Sequence, residues 1–155
     1  MKSKKIVILT GAGISAESGI DTFRAAGGLW ENHRVEDVAT PEGFAKDPVL
    51  VHRFYNLRRA ALKTVEPNPA HIALAKLEKG LTASGGQLTL ITQNVDDLHE
   101  RGGADEVIHM HGILTSMLCG ICENRWDYLE DASPEMVCPK CYVKGACRPD
   151  IAWFG

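Results

Sequence analysis

The run Lys5-Ile6-Val7-Ile8-Leu9-Thr10-Gly11-Ala12-Gly13, KIVILTGAG, decides the fold. Its first half is apolar and β-branched, which reads as a buried strand. Its second half is a glycine turn, and ISAESG then opens a short helix. Gly11 to Ala16 fits G-x-G-x-x-G/A. In that pattern the glycines let the backbone approach a diphosphate, and the helix N-terminus attracts its charge. The same string also suits a plain tight turn. A dinucleotide-binding hydride-transfer enzyme carries an acidic residue after a second strand, about 20 residues on. Here that position falls in a Gly-rich stretch, and Glu31 and Glu36 follow no strand, which disfavours such an oxidoreductase.

Working outward, LTLITQN (Leu88–Asn94) reads as a second buried strand, and VIHMHG (Val107–Gly112) as a third ending at His111. IAWFG at residues 151–155 reads as another. FRAAGGLWENHRVEDVATPEGF (Phe23–Phe44) has weak periodicity and many glycines, so a long mobile loop is expected there. Thr40-Pro41, Asp47-Pro48 and Asn68-Pro69 each set a capping side chain ahead of a proline, three helix starts. The helix from Pro69 carries Ile72, Leu74 and Leu77 and is expected to end at Gly80. Strands alternating with helices give an α/β fold: a parallel sheet with a smaller inserted module. Ligands in such sheets sit beyond the carboxyl ends of the strands. Those ends carry Gly11–Ser15, Gln93–Asp96 and His111–Gly112.

The composition is globular, with 45% apolar residues and a net charge of −3. That balance offers no case for nucleic acid or an anionic membrane as partner. The apolar start Ile6–Leu9 is too short for a signal peptide, and a cytoplasmic protein is expected. Cys119-x-x-Cys122, fifteen residues, then Cys138-x-x-Cys141 is the spacing of a tetrahedral zinc ribbon. Four thiolates leave no open position, so one structural Zn2+ is expected. Cys147 is a spare thiol or a substitute for Cys141. Past the second strand, the amides of Gln93 and Asn94 and the carboxylate of Asp96 suit ribose hydroxyls and an amide group. Helix capping is the plainer role for them. His111 is the candidate general base, since imidazole titrates near neutral pH. The remaining histidines are read as structural.

GAGISAESGIDTFR, TQNVD, HMHG, the four cysteines and WFG, in this order, resemble the sirtuins, NAD-dependent protein lysine deacylases. The resemblance covers the whole chain. It implies a Rossmann-like large part (1–27 and 67–114), a cofactor loop and helical module (28–66), a zinc ribbon (115–148) and a return strand that binds substrate (149–155). NAD and the acyl-lysine would meet in a cleft between the parts. Gly11, Ala12, Gly13 and Ser15 would lie against the diphosphate, and Phe23, Arg24 and Trp30 would belong to the cofactor side. Gln93, Asn94, Val95 and Asp96 would line the nicotinamide–ribose pocket, with Asn94 and His111 catalytic. In the family chemistry the acyl oxygen displaces nicotinamide, and the base then activates a ribose hydroxyl. Lysine, nicotinamide and O-acyl-ADP-ribose result. Trp153, Phe154 and Gly155 would pair with the substrate peptide as an added strand.

Gly19-Ile20-Asp21-Thr22-Phe23-Arg24 carries a threonine before Phe-Arg, which is typical of the class III branch. That branch places Tyr-x-x-Arg against an acidic acyl group. On the helix that holds HRFYNLRRAAL (His52–Leu62), Leu50, Phe54, Leu57 and Ala61 form the expected core stripe. Tyr55 and Arg58 stand three apart on another face. A phenol donor beside a forked guanidinium suits a carboxylate, so succinyl- and malonyl-lysine are expected substrates besides acetyl-lysine. The plainer reading is a solvated face. The sirtuin pattern continues past WFG, and too few parallel strands are present here to complete a doubly wound sheet. An exposed apolar sheet edge, with self-association, is therefore expected. The competing function is a non-catalytic module, a zinc ribbon with a peptide-binding strand.

Overall fold

A computed structural model describes residues 4–20, 29–30 (backbone only) and 33–155. The expected contacts of Phe23, Arg24 and the Trp30 side chain lie outside the described residues. The chain divides into two compact units, Met1–Thr22 with Thr64–His111, and Phe23–Lys63 with Gly112–Gly155.

The first unit is built on β1 (Lys5–Thr10), β4 (Gln87–Thr92) and β5 (Val107–His109), all parallel in the order β1-β4-β5. A 3₁₀ helix, Ala12–Ser18, follows β1, and α5 (Leu98–Arg101) follows β4. The helix α4 (Pro69–Ala83) begins at the expected Asn68 cap but runs past Gly80. Its core face is His71, Ala75, Glu78 and Leu81, whereas Ile72 and Leu77 are exposed. A stripe spaced i, i+4, i+7 and i+10 that includes a histidine and a glutamate buries better here, because both find polar partners. The Asn68 N–H donates to His71 Nδ1 at 3.2 Å, and Glu78 Oε2 accepts the Asp105 N–H at 2.9 Å. Ala75, Leu90 and Ala104 form the core with Ile8, Leu74 and Val107. A parallel sheet is normally covered on both faces. Here Val7 and Leu9 on β1 and Ile108 on β5 are exposed at 67%, 58% and 52%, an apolar face on the two edge strands.

In the second unit, part of the stretch read as loop is ordered. β2 (Leu29–Trp30) pairs antiparallel with β3 (His33–Arg34), and the single turn α1 (Val35–Val38) follows. Val38 and Ala39 are buried, which gives this glycine-poor end a packing reason to order. Helices α2 (Pro41–Lys46) and α3 (Pro48–Leu62) start at the expected caps, Thr40 Oγ1 accepting from the Gly43 N–H and Asp47 Oδ1 from the Leu50 N–H. Each such cap contributes about 1 kcal/mol.

The buried stripe of α3 is not the expected one. Leu57 is 61% exposed and Ala61 is also exposed, while Val51, His52, Phe54, Tyr55, Arg59 and Leu62 are buried. Arg59 can go inside because the unit supplies acceptors. Its Nε donates to the Leu114 carbonyl at 3.0 Å, and its Nη1 to Asn56 Oδ1 at 2.9 Å and the Glu130 carbonyl at 3.1 Å.

The rest of this unit is an antiparallel sheet in the order β7-β6-β8, made by β6 (Gly112–Cys119), β7 (Arg125–Asp127) and β8 (Cys147–Ile151). The return strand expected over 149–155 therefore starts earlier and ends at Ile151, and it pairs with β6 rather than with the parallel sheet. Pro149 has no N–H, so it belongs on an edge strand such as β8, next to the register shift between Gly112 and Met117. Gly112 has φ +81°, and any side chain there would run into the Asp150 carbonyl. Only glycine satisfies both demands.

Candidate active site

The carboxyl ends of β1, β4 and β5 carry a connected polar cluster within the first unit. Ser15 is fully buried; its hydroxyl donates to Asp96 Oδ2 at 2.9 Å and accepts from Asn94 Nδ2 at 3.0 Å. The Asn94 N–H donates to Thr92 Oγ1 at 3.1 Å. Asp96 Oδ1 accepts the Leu98 N–H at 3.2 Å, so Asp96, not Asn94, serves the start of α5. Gly11–Ser15 and Gln93–Asp96, read as separate motifs in the sequence, are thus joined through one hydroxyl. Val95 is half-buried and Gln93 is exposed.

The 3₁₀ turn donates its first backbone bond from the Ile14 N–H to the Gly11 carbonyl at 3.1 Å. The N–H groups of Ala12 and Gly13 have no acceptor within the helix. A side chain built on Gly13 would meet nothing within 4 Å. Backbone donors without an intrahelical acceptor, at an exposed Gly13, suit the diphosphate of a dinucleotide. The Ser15 hydroxyl bonds both Asp96 and Asn94.

His111 lies in the turn after β5 rather than at its end, because β5 stops at His109. It is exposed, and its Nδ1 lies 3.1 Å from the Gln93 carbonyl oxygen. A carbonyl only accepts, so Nδ1 carries the proton. The Nε2 of the neutral ring keeps its lone pair. That is the tautomer a general base needs.

Four residues of this region escaped the sequence reading. Thr10 Oγ1 is 2.9 Å from His99 Nε2, and the His99 and His71 rings meet edge-on at 4.9 Å. Both rings are buried, and burial lowers the pKa of each. His109 bridges Glu100 and Asn94. The i, i+2 spacing of His109 and His111 was the available signal, since it aims both rings to one side of an extended segment.

In the second unit, the Sγ atoms of Cys119, Cys122, Cys138 and Cys141 all lie within 4.8 Å of one another. Cys119–Cys141 and Cys122–Cys138 are 3.6 Å apart. A tetrahedral Zn2+ with bonds of about 2.3 Å sets its sulfurs ~3.8 Å apart, so the four fit zinc. Backbone N–H groups of Cys122 and Ile121 lower the Cys119 pKa, as befits a thiolate ligand. Cys147 stands outside the cluster, its thiol 3.9 Å from the Met136 carbonyl. Burial, with the nearby sulfur charges of Cys119, Cys138 and Cys122, pushes its pKa to about 11. It is the spare thiol.

The same unit brings Tyr55 and Trp153 together. Trp153 Nε1–H donates to the Tyr55 hydroxyl at 3.1 Å, and the Arg148 guanidinium stacks on the indole at 4.4 Å. Tyr55 is fully buried, and its pKa is pushed up to about 12 by burial, against the Trp153 bond and the charges of Arg58 and Arg148. Arg58 is half-buried, its guanidinium 5.7 Å from the Phe54 ring. Phe154 is exposed, and its N–H donates to the Ala39 carbonyl at 2.9 Å. Gly155 has φ +115°.

Residues 11–155 match the Sir2 family. The chain is 56% identical over 154 residues to an NAD-dependent protein deacylase of Bdellovibrio bacteriovorus, covering 98% of this chain and 64% of that protein. It is 55% identical to one of Vibrio cholerae, covering 98% of this chain and 61% of that one. Among solved structures, a Sir2 homologue in complex with NAD superposes with a TM-score of 0.82 at 45% identity, over 99% of this chain and 58% of that one. A Sir2 protein bound to acetylated peptide does so with a TM-score of 0.72 at 33% identity, over 98% of this chain and 59% of that one. The chain thus spans less than two thirds of the length of these relatives. With a family match over residues 11–155 and this identity across nearly all its residues, the chain belongs to the Sir2 family.

Proposed function

We propose that this chain takes part in NAD-dependent removal of acyl groups from protein lysines. The observation that carries the reading is the joined cluster of Ser15, Asn94 and Asp96 beside a His111 whose Nε2 is free to take a proton. NAD would supply the electrophilic sugar carbon and the nicotinamide leaving group. Ala12 and Gly13 would hold its diphosphate through backbone N–H groups. Asn94 and Asp96 would orient its ribose, their own positions set by the buried Ser15 hydroxyl. His111 would remove a ribose hydroxyl proton, its ring held by the Gln93 carbonyl. The relatives' names, and the NAD and acetyl-peptide complexes of the solved neighbours, support the same reading.

The finer specificity proposed is for succinyl- and malonyl-lysine as well as acetyl-lysine. Its support is the class III pattern at Tyr55 and Arg58 and the bond that fixes Tyr55 to Trp153. Trp153–Gly155 would contact the substrate peptide. A cytoplasmic location, and self-association through the apolar face at Val7, Leu9 and Ile108, belong to the same proposal. Among the described residues no helix is long and apolar enough to cross a membrane. The test is Arg58→Met with paired peptides. Succinyl-lysine turnover is expected to fall at least tenfold relative to acetyl-lysine, as loss of a charge-assisted bond worth about 1.5–3 kcal/mol requires. An equal fall for both would remove the carboxylate reading.

A further inference from the structure

His109 sits between two acceptors. Its Nε2 is 2.7 Å from Glu100 Oε1, and its Nδ1 is 3.1 Å from the Asn94 carbonyl. A carboxylate and a carbonyl can only accept, so both ring nitrogens donate. Both bonds exist together only on an imidazolium. Two residues on, His111 Nδ1 holds the neighbouring carbonyl, that of Gln93. The two histidines therefore grip consecutive peptide groups of one loop.

We propose that His109, held charged by Glu100, is a positioning residue that locks the Gln93–Asn94 backbone and through it the Asn94 amide and the His111 ring. The carbonyl that His109 holds belongs to the residue whose side chain donates to Ser15. The adjoining carbonyl fixes the proton on His111 Nδ1. Losing the His109 bond frees one peptide group and loosens both partners. The side chain of His109 is only 11% exposed, so water is a poor substitute.

The charges around the ring agree. Burial pulls the His109 pKa down, but the Glu100 bond and charge, the Asn94 carbonyl and Asp96 outweigh it, and the net shift is upward. Glu100 answers in kind: burial pushes it up, yet the His109 bond, its own backbone N–H and the charges of His109 and His99 hold it below the usual range. His99 is the other cation-forming group acting on Glu100, and burial lowers its own pKa.

This inference rests on the proposed roles of Asn94 and His111, but its test needs no turnover. The ring nitrogens of His109 and the side-chain amide of Asn94 are followed by NMR as the zinc-loaded chain is titrated. The His109 midpoint is expected above the ordinary 6.5, with both ring nitrogens protonated below it, and the Asn94 amide signals to move with that midpoint. Glu100→Gln keeps the shape and is expected to lower the midpoint by about one unit or more. A His109 midpoint at or below 6.5 in the parent chain, or Asn94 signals indifferent to it, would overturn the lock. Nicotinamide release is then compared: its alkaline limb is expected at lower pH in Glu100→Gln than in the parent. A chain without deacylase activity but with the expected titration would sink the function and leave the lock standing.

Discussion

His52 makes the second unit's stability depend on pH. It is 2% exposed, packed edge-on to Phe44 at 5.5 Å. Burial first, and the Arg59 guanidinium second, pull its pKa from 6.5 to about 4, while the Cys147 backbone opposes them. The folded value is below the unfolded one, so the unfolded chain takes up the proton first. The contribution is complete above the unfolded pKa and is lost as pH falls through the folded one. A gap of about 2.5 units corresponds to roughly 3 kcal/mol in all, of which about 2 kcal/mol is lost between pH 7 and pH 5. All three tryptophans, Trp30, Trp126 and Trp153, lie in the same unit as His52, so fluorescence reports on it alone. Urea unfolding is compared for the parent and His52→Gln at both pH values. The parent should lose about 2 kcal/mol more than the variant on acidification. Zinc release on acidification cancels in that difference, because both proteins carry the same four cysteines. Equal losses would refute the assignment.

Zinc content should separate the cysteines. Cys141→Ser is expected to abolish stoichiometric zinc measured by atomic absorption, and Cys147→Ser to keep one zinc per chain. In the first unit, Asn68 caps Ala70 while its amide donates to the Ile14 carbonyl at 2.7 Å and to Ser18 Oγ at 3.0 Å. Asn68→Ala should cost about 2 kcal/mol, the high end for a cap, read as faster amide hydrogen exchange in the first turn of α4. An unchanged exchange rate there would mean that the cap alone does not hold that helix.

The features legible in the sequence were those that depend on local chemistry. Cap-proline pairs at Thr40, Asp47 and Asn68 announce helix starts because the cap bond spans only two or three residues. The cysteine spacing announces a cluster because a metal demands four ligands at fixed reach. The glycines after β1 announce a turn for the same local reason. What stayed hidden depends on partners far along the chain. Arg59 rather than Leu57 faces inward on α3 because carbonyls 55 and 71 residues away accept from it. Helix periodicity counts apolar residues and misses an arginine so satisfied. His109 looked ordinary because Glu100 and Asn94 meet it only when the end of β5 packs beside α5 and the loop after β4. The order around β2 and β3 was missed because two-residue strands carry too little periodicity to read.

The most direct test of the account incubates the zinc-loaded chain with NAD and an acetyl- or succinyl-lysine peptide, and reads the products by mass spectrometry. The account predicts free lysine peptide, nicotinamide and O-acyl-ADP-ribose in equal amounts, lost in His111→Ala and Asn94→Ala. No O-acyl-ADP-ribose from a folded, zinc-bound chain would contradict it.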